Sequence, residues 1–400
     1  MTKIRVIFFI TTLIIVGVLG IFASYYARGY RLDVKTLRFQ PNGILVLKSE
    51  PDGASVYING ELKGATNANL SIAPGTYDLE IKKDGYLSWY KRIVVEKEIV
   101  TQATVSLFKN VPSLSPTTFS GASNVVMSED GSKIIYSVLP SKDLTEDKIG
   151  LWFLDTYSLP LGFGNGPKRI ADGDMSDATY MFSPDATQIL LTVSEGVFLI
   201  DSGSFTSQDQ MINIASKKTQ TLAEWKKQKE AMNLGLTKNL PPSLADILSR
   251  KTSAFIFSPD DNMILYTASA AATLEENLIK QLPGASTQTQ ERNIQAGRTY
   301  VYDIKEDRNF MISDQPITID NIDKQDIPAL RWMSSSRHLL WAGTDQVVIM
   351  DYDGTNRQVI YSGSYAMPSV FPYSNTTKLL ILTNLGSTNS PTNLYTLTVK

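Results

Sequence analysis

A short phrase recurs through the second half of the chain: a hydrophobic pair, a Ser-Pro-Asp turn, then a run of aliphatic residues. It reads Met181-Phe182-Ser183-Pro184-Asp185 followed by Ile189-Leu190-Leu191, and again Ile256-Phe257-Ser258-Pro259-Asp260 followed by Met263-Ile264-Leu265-Tyr266. Degraded copies stand at Val126-Met127-Ser128-Glu129-Asp130-Gly131, at Trp332-Met333-Ser334-Ser335-Ser336 and at Phe371-Pro372-Tyr373-Ser374. Proline presets one turn dihedral, Asp or Gly accepts the next, and β-rich runs flank the turn, so each copy predicts a hairpin. About five hairpins at long, irregular spacing mark a repeat architecture, in which a unit needs its neighbours to bury its faces.

From Ser123 onward each copy follows one plan: hairpin, a third strand ending near an acidic residue, and a short fourth strand. The third strands are Leu151-Trp152-Phe153-Leu154-Asp155, Val197-Phe198-Leu199-Ile200-Asp201, Tyr300-Val301-Tyr302-Asp303, Val347-Val348-Ile349-Met350-Asp351 and Leu394-Tyr395-Thr396-Leu397. Fourth strands are expected at Arg169-Ile170-Ala171 and Gln358-Val359-Ile360-Tyr361. Four antiparallel strands per radially repeated unit make a propeller blade. The Phe-Ser-Pro-Asp phrase resembles the repeat of TolB-type propellers. Because Lys400 follows directly on the last third strand, a closed ring needs its missing strand from between Leu107 and Ser120. Five blades are expected over 109–400, with six or an incomplete ring left open.

Residues 6–27 carry no charge and are almost wholly apolar. About 20 such residues cross a bilayer as a helix. A cleaved signal peptide would have a shorter apolar region, of about 7 to 15 residues, and small residues at its cleavage site. Here Tyr25 and Tyr26 suit the membrane interface, with Arg5 and Arg28 at the two ends. The segment therefore reads as an uncleaved signal anchor contacting lipid after a short tail, 1–5. Lys3 and Arg5 on one side nearly balance Arg28, Arg31 and Lys35 on the other, so charge leaves orientation open; the large body after a short tail suggests an extracytoplasmic bulk. Residues 28–41 read as a juxtamembrane stalk.

A compact string of strands follows: Ile44-Leu45-Val46-Leu47, Ser55-Val56-Tyr57-Ile58, Tyr77-Asp78-Leu79-Glu80-Ile81, Arg92-Ile93-Val94-Val95 and Ala103-Thr104-Val105-Ser106-Leu107. Alternation such as Tyr77, Leu79, Ile81 against Asp78, Glu80 puts one face in a core. Asn59-Gly60, Pro74-Gly75 and Asp84-Gly85 supply tight turns. The expected result is a small antiparallel sandwich over 42–108. Pro51-Asp52-Gly53-Ala54, Asn59-Gly60, Pro74-Gly75-Thr76-Tyr77 and Lys83-Asp84-Gly85-Tyr86 together resemble the PEGA domain, with Asp52 where the eponymous motif has glutamate. The resemblance implies a β-sandwich of cell-envelope and surface proteins and carries over no catalytic residue.

Two insertions interrupt the blades. In 204–251, Thr221-Leu222-Ala223-Glu224 reads as a capping box and Gly235 as a stop, with Leu222, Trp225 and Met232 as a partial apolar stripe. A second short helix follows Pro241-Pro242-Ser243, with Leu244, Ile247 and Leu248 on one face. In 270–296, Leu274, Leu278 and Leu282 precede Pro283-Gly284. Packing on the propeller is the plainer reading of these stripes. The alternative is a partner-binding helix using Trp225, Met232, Leu244 and Leu248.

The fold class is thus mainly β: a transmembrane helix, a sandwich, and a propeller with short helical insertions. Lysine plus arginine, 38, against aspartate plus glutamate, 40, with no long run of one sign, gives no nucleic-acid footprint. The absence of cysteine excludes disulfides and thiolate chemistry. One histidine, His338, cannot build a multi-histidine metal site, and its place just after a turn suits a polar residue entering a strand. No cofactor, metal or catalytic residue is expected. Asp155, Asp201, Asp303 and Asp351 could serve a propeller glycosidase, but recurrence at one blade position favours a repeated turn. Asp172-Gly173-Asp174 and Asp351-Tyr352-Asp353-Gly354 lack the distal glutamate of a calcium loop. The expected function is a non-enzymatic, single-pass membrane protein of the cell envelope whose propeller binds a protein or glycan. Alternatives are a glycan-active enzyme and a structural surface-layer component.

Overall fold

A computed structural model describes residues 2–27, 30–33, 38–157, 166–280, 286–319, 327–388 and 390–400. The chain divides into two compact units, 1–107 with 281–288, and 108–280 with 289–400.

The first unit opens with one helix, Thr2–Ala27, whose stretch Ile4–Ala27 is long and apolar enough to cross a membrane. The expected stalk contains a hairpin, Tyr30–Asp33 paired antiparallel with Arg38–Pro41. Two sheets then face each other: Ala68–Ile72, Gly43–Glu50 and Val100–Ser106 in one, Glu61–Ala65, Ser55–Ile58, Gly75–Lys82 and Trp89–Val95 in the other. Leu45, Leu47, Val56, Leu79, Ile81 and Val105 fill the space between them. Asn59 and Gly60 both have positive φ, the two-residue turn expected there. The sandwich is not wholly antiparallel. Gly43–Glu50 runs parallel to Val100–Ser106, which a string of simple hairpins would not produce between neighbouring strands. Strands Glu61–Ala65 and Ala68–Ile72 escaped the sequence reading; the first is exposed along its whole length and has no apolar alternation to announce it.

The second unit is a ring of five antiparallel sheets. Blade 1 is Ser123–Met127, Lys133–Val138, Gly150–Asp155 and Lys168–Ala171; blade 3 is Thr252–Phe257, Met263–Ala268, Thr299–Asp303 and Arg308–Ser313; blade 4 is Ala329–Trp332, His338–Gly343, Gln346–Asp351 and Gln358–Ser362. Blade 5 consists of Val370–Pro372, Lys378–Thr383 and Asn393–Thr398, and Ser113–Pro116 completes it by pairing with residues 395–398. The first and last strands of the propeller are thus hydrogen-bonded together. Blade 2 departs from the plan. It has three strands, Thr179–Phe182, Gln188–Val193 and Gly196–Asp201, and the insertion takes the place of the fourth: Asn213 bridges Phe198, and Ile214 N–H donates to Val197 O at 2.7 Å.

Blade faces share cores. Ile135 and Phe153 of blade 1 pack with Ile189 and Phe198 of blade 2. Val301 and Phe310 of blade 3 pack with Leu339 and Val348 of blade 4. Phe371 and Leu380 of blade 5 pack with Ile134 and Tyr136 of blade 1. The remaining face of blade 2 is covered by Leu222 and Trp225 of the helix Lys218–Thr237. That of blade 3 is covered by Leu244, Ile247 and Leu248 of the helix Pro242–Arg250.

The helix Lys218–Thr237 begins before the expected capping box. A 3₁₀ turn, Ala215–Lys217, feeds straight into it, so Thr221 and Glu224 lie inside. Gly235 does not stop it either; the helix runs on to Thr237, shortly before Pro241-Pro242. In 270–296 the described residues form no helix. Ala272–Thr273 pairs with Asn293–Ile294, Leu274 and Ile294 are buried on blade 3 and Leu278 packs at the edge of the same core; Leu282 lies outside the described residues.

Candidate functional site

The recurrent phrase has a shared hydrogen-bond pattern. In blade 2, Ser183 Oγ donates to Asp185 Oδ1 at 2.6 Å and accepts Gln188 N–H at 2.9 Å, while Ala186 N–H donates to Ser183 O. Ser128 with Asp130 and Ser258 with Asp260 repeat it. The residue that turns left-handed is the one after the aspartate, not the aspartate itself: Gly131, Ala186, Asp261 and, in the degraded copy, Ser336. Aspartate serves instead as the acceptor that holds serine and the following backbone.

Two outcomes follow. Ser183→Ala removes a donor and an acceptor at once and should cost about 1–2 kcal/mol in urea unfolding. Asp261→Gly places glycine in an exposed left-handed position and should stabilise by a few tenths to about 1 kcal/mol.

These aspartates also set an acid response. The Asp130 carboxyl is pushed up by burial but more strongly down by Ser128 and Ser132, and lies below its usual range. Asp185 is held low by Ser183 and Thr187. Asp260 is likewise raised by burial but lowered further by Asn262 and Ser258. A carboxyl that ionises more easily in the folded state contributes stability above its unfolded pKa of about 3.9, lost as pH falls through the lower folded value. Asp303 is raised by burial and acts with the opposite sign. Asp147 is held low as well, by Thr145 first. Four against one, the propeller's melting temperature should fall as pH drops from about 4 toward 2, a trend read by calorimetry.

The third-strand aspartates are each engaged locally. Asp155 Oδ1 accepts Tyr157 N–H, Asp201 Oδ1 accepts Gly203 N–H, and Asp303 Oδ1 accepts Lys305 and Glu306 N–H, each closing its own turn. Asp351 accepts Asn356 Nδ2 at 2.9 Å and lies 3.7 Å from His338 Nε2. His338 opens the strand His338–Gly343, buried, with its Nδ1 2.8 Å from Ser335 Oγ. Asp172 accepts Gln208 N–H, Asp174 accepts Ser176, and Asp353 accepts Thr355. Among the described residues no cluster of three or more metal-ligating side chains occurs.

Of the other candidate residues, Arg5, Tyr25 and Tyr26 are exposed on the apolar helix, and Arg28 lies outside the described residues. Trp225, Leu244 and Leu248 are buried on the propeller, the plainer of the two arrangements expected for them; Met232 is half exposed.

What the blades leave available follows from strand direction. The connection between the first two strands of every blade is five residues, 128–132, 183–187, 258–262, 333–337 and 373–377. At the opposite end lie the longer connections, including 117–122, 139–149, 172–178, 363–369 and 384–392. There Thr118 Oγ1 and Gly121 N–H donate to Asn393 Oδ1, and Phe119 and Leu385 are 80% and 55% exposed. The blades are locked by polar links that the sequence did not announce. Lys133 Nζ donates to Ala186 O and Ser202 Oγ, Asp260 N–H to Ser336 Oγ, and Ser374 Oγ to Thr156 O. Between blades 4 and 5, Arg331 Nη1 donates to Pro368 O and Val370 O while its guanidinium stacks over Phe371; burial pulls its pKa down to about 10.

Comparison with known proteins adds the following. Residues 42–110 match the family model of the PEGA domain, so the chain carries that domain. No curated protein matches. Among solved structures, a putative TolB from Agrobacterium tumefaciens is 14% identical, over 70% of this chain and 73% of that one, with a TM-score of 0.21. TolB from Acinetobacter baumannii is 13% identical, over 80% and 59%, at 0.20. The β-propeller domain of Myceliophteria thermophila Cps50 (Swd1) is 8% identical, over 72% and 100%, at 0.33. A PEGA domain joined to a β-propeller is the class of protein these features define.

Proposed function

We propose that the chain is a non-enzymatic, membrane-anchored cell-envelope protein. The helix Thr2–Ala27 stays in the bilayer as a single span, the PEGA domain serves as a spacer, and the propeller offers a protein or glycan a binding surface outside the cytoplasm. The observation that carries the reading is the exposure of Phe119 and Leu385 on two connections, 117–122 and 384–392, at the end of the blades opposite the five-residue turns. Loops held by a rigid scaffold are the usual seat of recognition. The glycan-active alternative is less favoured, because Asp155, Asp201 and Asp303 are each engaged in the turn that follows.

The test is a photo-crosslinking amino acid at Phe119 or Leu385 in intact cells, with Asp261 on the short-turn face as control. Adducts of defined mass at the first two positions and none at the third are expected. Adducts at none of them would remove the platform. Protease added to intact cells should release propeller fragments, and a fully protected chain would place it in the cytoplasm.

A further inference from the structure

The helix Lys218–Thr237 changes character along its length. Its first half lies on the propeller, where Leu222 and Trp225 cover Leu190 and Val197, and Lys229 Nζ meets Glu129 Oε1 at 2.5 Å. Trp225 is its one buried residue. Beyond Lys229 the apolar side chains are uncovered: Met232, Leu234 and Leu236 are 50%, 71% and 39% exposed.

At 100° per residue Met232 and Leu236 prolong the Trp225 face, whereas Leu234 points to the opposite side. A groove in a partner would cover one side of a helix. Apolar groups on both sides of a projecting end instead suit a medium that surrounds it. Of the lysines around this end, Lys226 pairs with Glu230 at 4.0 Å and Lys229 with Glu129, while Lys227 and Lys238 stand in no ion pair among the described residues, in a chain whose net charge is −2. Apolar side chains ringed by lysines are the composition that enters the headgroup layer of an anionic bilayer.

We propose that the end of this helix is a lipid-contacting tip. Met232, Leu234 and Leu236 enter the headgroup region, and Lys227 and Lys238 face the lipid phosphates. This contact is separate from the helix Thr2–Ala27 and independent of the propeller's loop face. With three apolar side chains it is weak and reversible by itself, so salt and lipid charge control it.

The lack of cysteine makes the test direct. Leu234→Cys in the full chain, labelled with an environment-sensitive fluorophore, is held in nanodiscs of phosphatidylcholine. Vesicles of phosphatidylcholine with or without phosphatidylglycerol are then added. With phosphatidylglycerol the emission should shift to the blue, be quenched by brominated lipid, and revert in high salt. Lys227→Gln and Lys238→Gln should each weaken the response about fivefold. A label at Thr219→Cys, near the exposed start of the helix, should stay unquenched. An equal response to neutral vesicles, equal quenching at residue 219, or no response would overturn the proposal. So would a shift produced without vesicles by raising the protein concentration, which assigns the tip to a second copy, or one produced only by an acidic polypeptide.

Discussion

Removing residues 393–400 should abolish the cooperative unfolding transition of the propeller. This segment supplies the third strand of blade 5, lying between Lys378–Thr383 and the closing strand Ser113–Pro116. It also carries Leu394, Leu397 and Val399, all at most 2% exposed. Losing a buried aliphatic side chain costs about 2–5 kcal/mol, and three such losses equal the roughly 5–15 kcal/mol by which a typical domain is stable. The carboxy-terminal end is fastened besides: Lys109 N–H donates to Val399 O at 2.8 Å, and Lys109 Nζ to Lys400 O at 2.7 Å. A graded version is Leu397→Ala, expected to lower stability by about 3 kcal/mol with little change in urea m-value. Tryptophan fluorescence in urea reads both. A truncated chain with an unchanged midpoint would mean that the ring does not depend on this strap.

The same strap shows how far residues alone could lead. Its partner was legible in outline, because the missing strand of the last blade was sought between Leu107 and Ser120, and Ser113–Pro116 lies there. The hairpins were legible as well, since proline and serine at fixed offsets act on the local backbone. Pairings decided by neighbours were not. The parallel contact of Gly43–Glu50 with Val100–Ser106 depends on the strands between them, and one of these, Glu61–Ala65, has no readable alternation. The insertion misled for a related reason. Thr221 and Glu224 have the spacing of a capping box, but the preceding 3₁₀ turn already starts the helix, so local chemistry at residue 221 yields to the chain entering from residue 215. Trp225, Leu244 and Leu248 look alike in sequence whether they bind a partner or a blade. Which residues cover them is decided by chain distant from the helices. The face proposed for binding was legible only as a class of surface: Phe119 and Leu385 belong to no motif, and their exposure is visible only once the ring is closed.

A buried ion pair beneath the second insertion should give the largest effect of any single substitution. Arg292, 10% exposed, lies 3.0 Å from the Asp307 carboxylate, which is fully buried. Its guanidinium also donates to the backbone carbonyls of Asp307 and Glu275, tying the insertion to the turn after the third strand of blade 3. Tyr302 donates its hydroxyl to Asp307 Oδ1 at 2.6 Å; burial first, and Asp307 second, hold its pKa far above the usual phenol range. Asp307 itself is left-handed, with φ +50°. Replacing two buried partners by apolar groups can be tolerated, whereas removing one leaves the other charged and dry, at about 3–5 kcal/mol. Asp307→Asn is the discriminating variant, because asparagine accepts the left-handed backbone and the Tyr302 hydrogen bond yet abandons the arginine. Asp307→Asn and Arg292→Met should each lower stability by about 3 kcal/mol or more, and the double variant by much less than their sum. Tyr302→Phe, which removes one hydrogen bond and strands Asp307 only in part, should cost about 1–2 kcal/mol. Limited proteolysis should cut the single variants within 270–280 before the rest of the ring opens, since Arg292 is what fastens that segment through Glu275. If Asp307→Asn proved within about 0.5 kcal/mol of the parent, the stability of blade 3 would have to come from its stacked tyrosines, Tyr266 and Tyr300, and not from the ion pair below them.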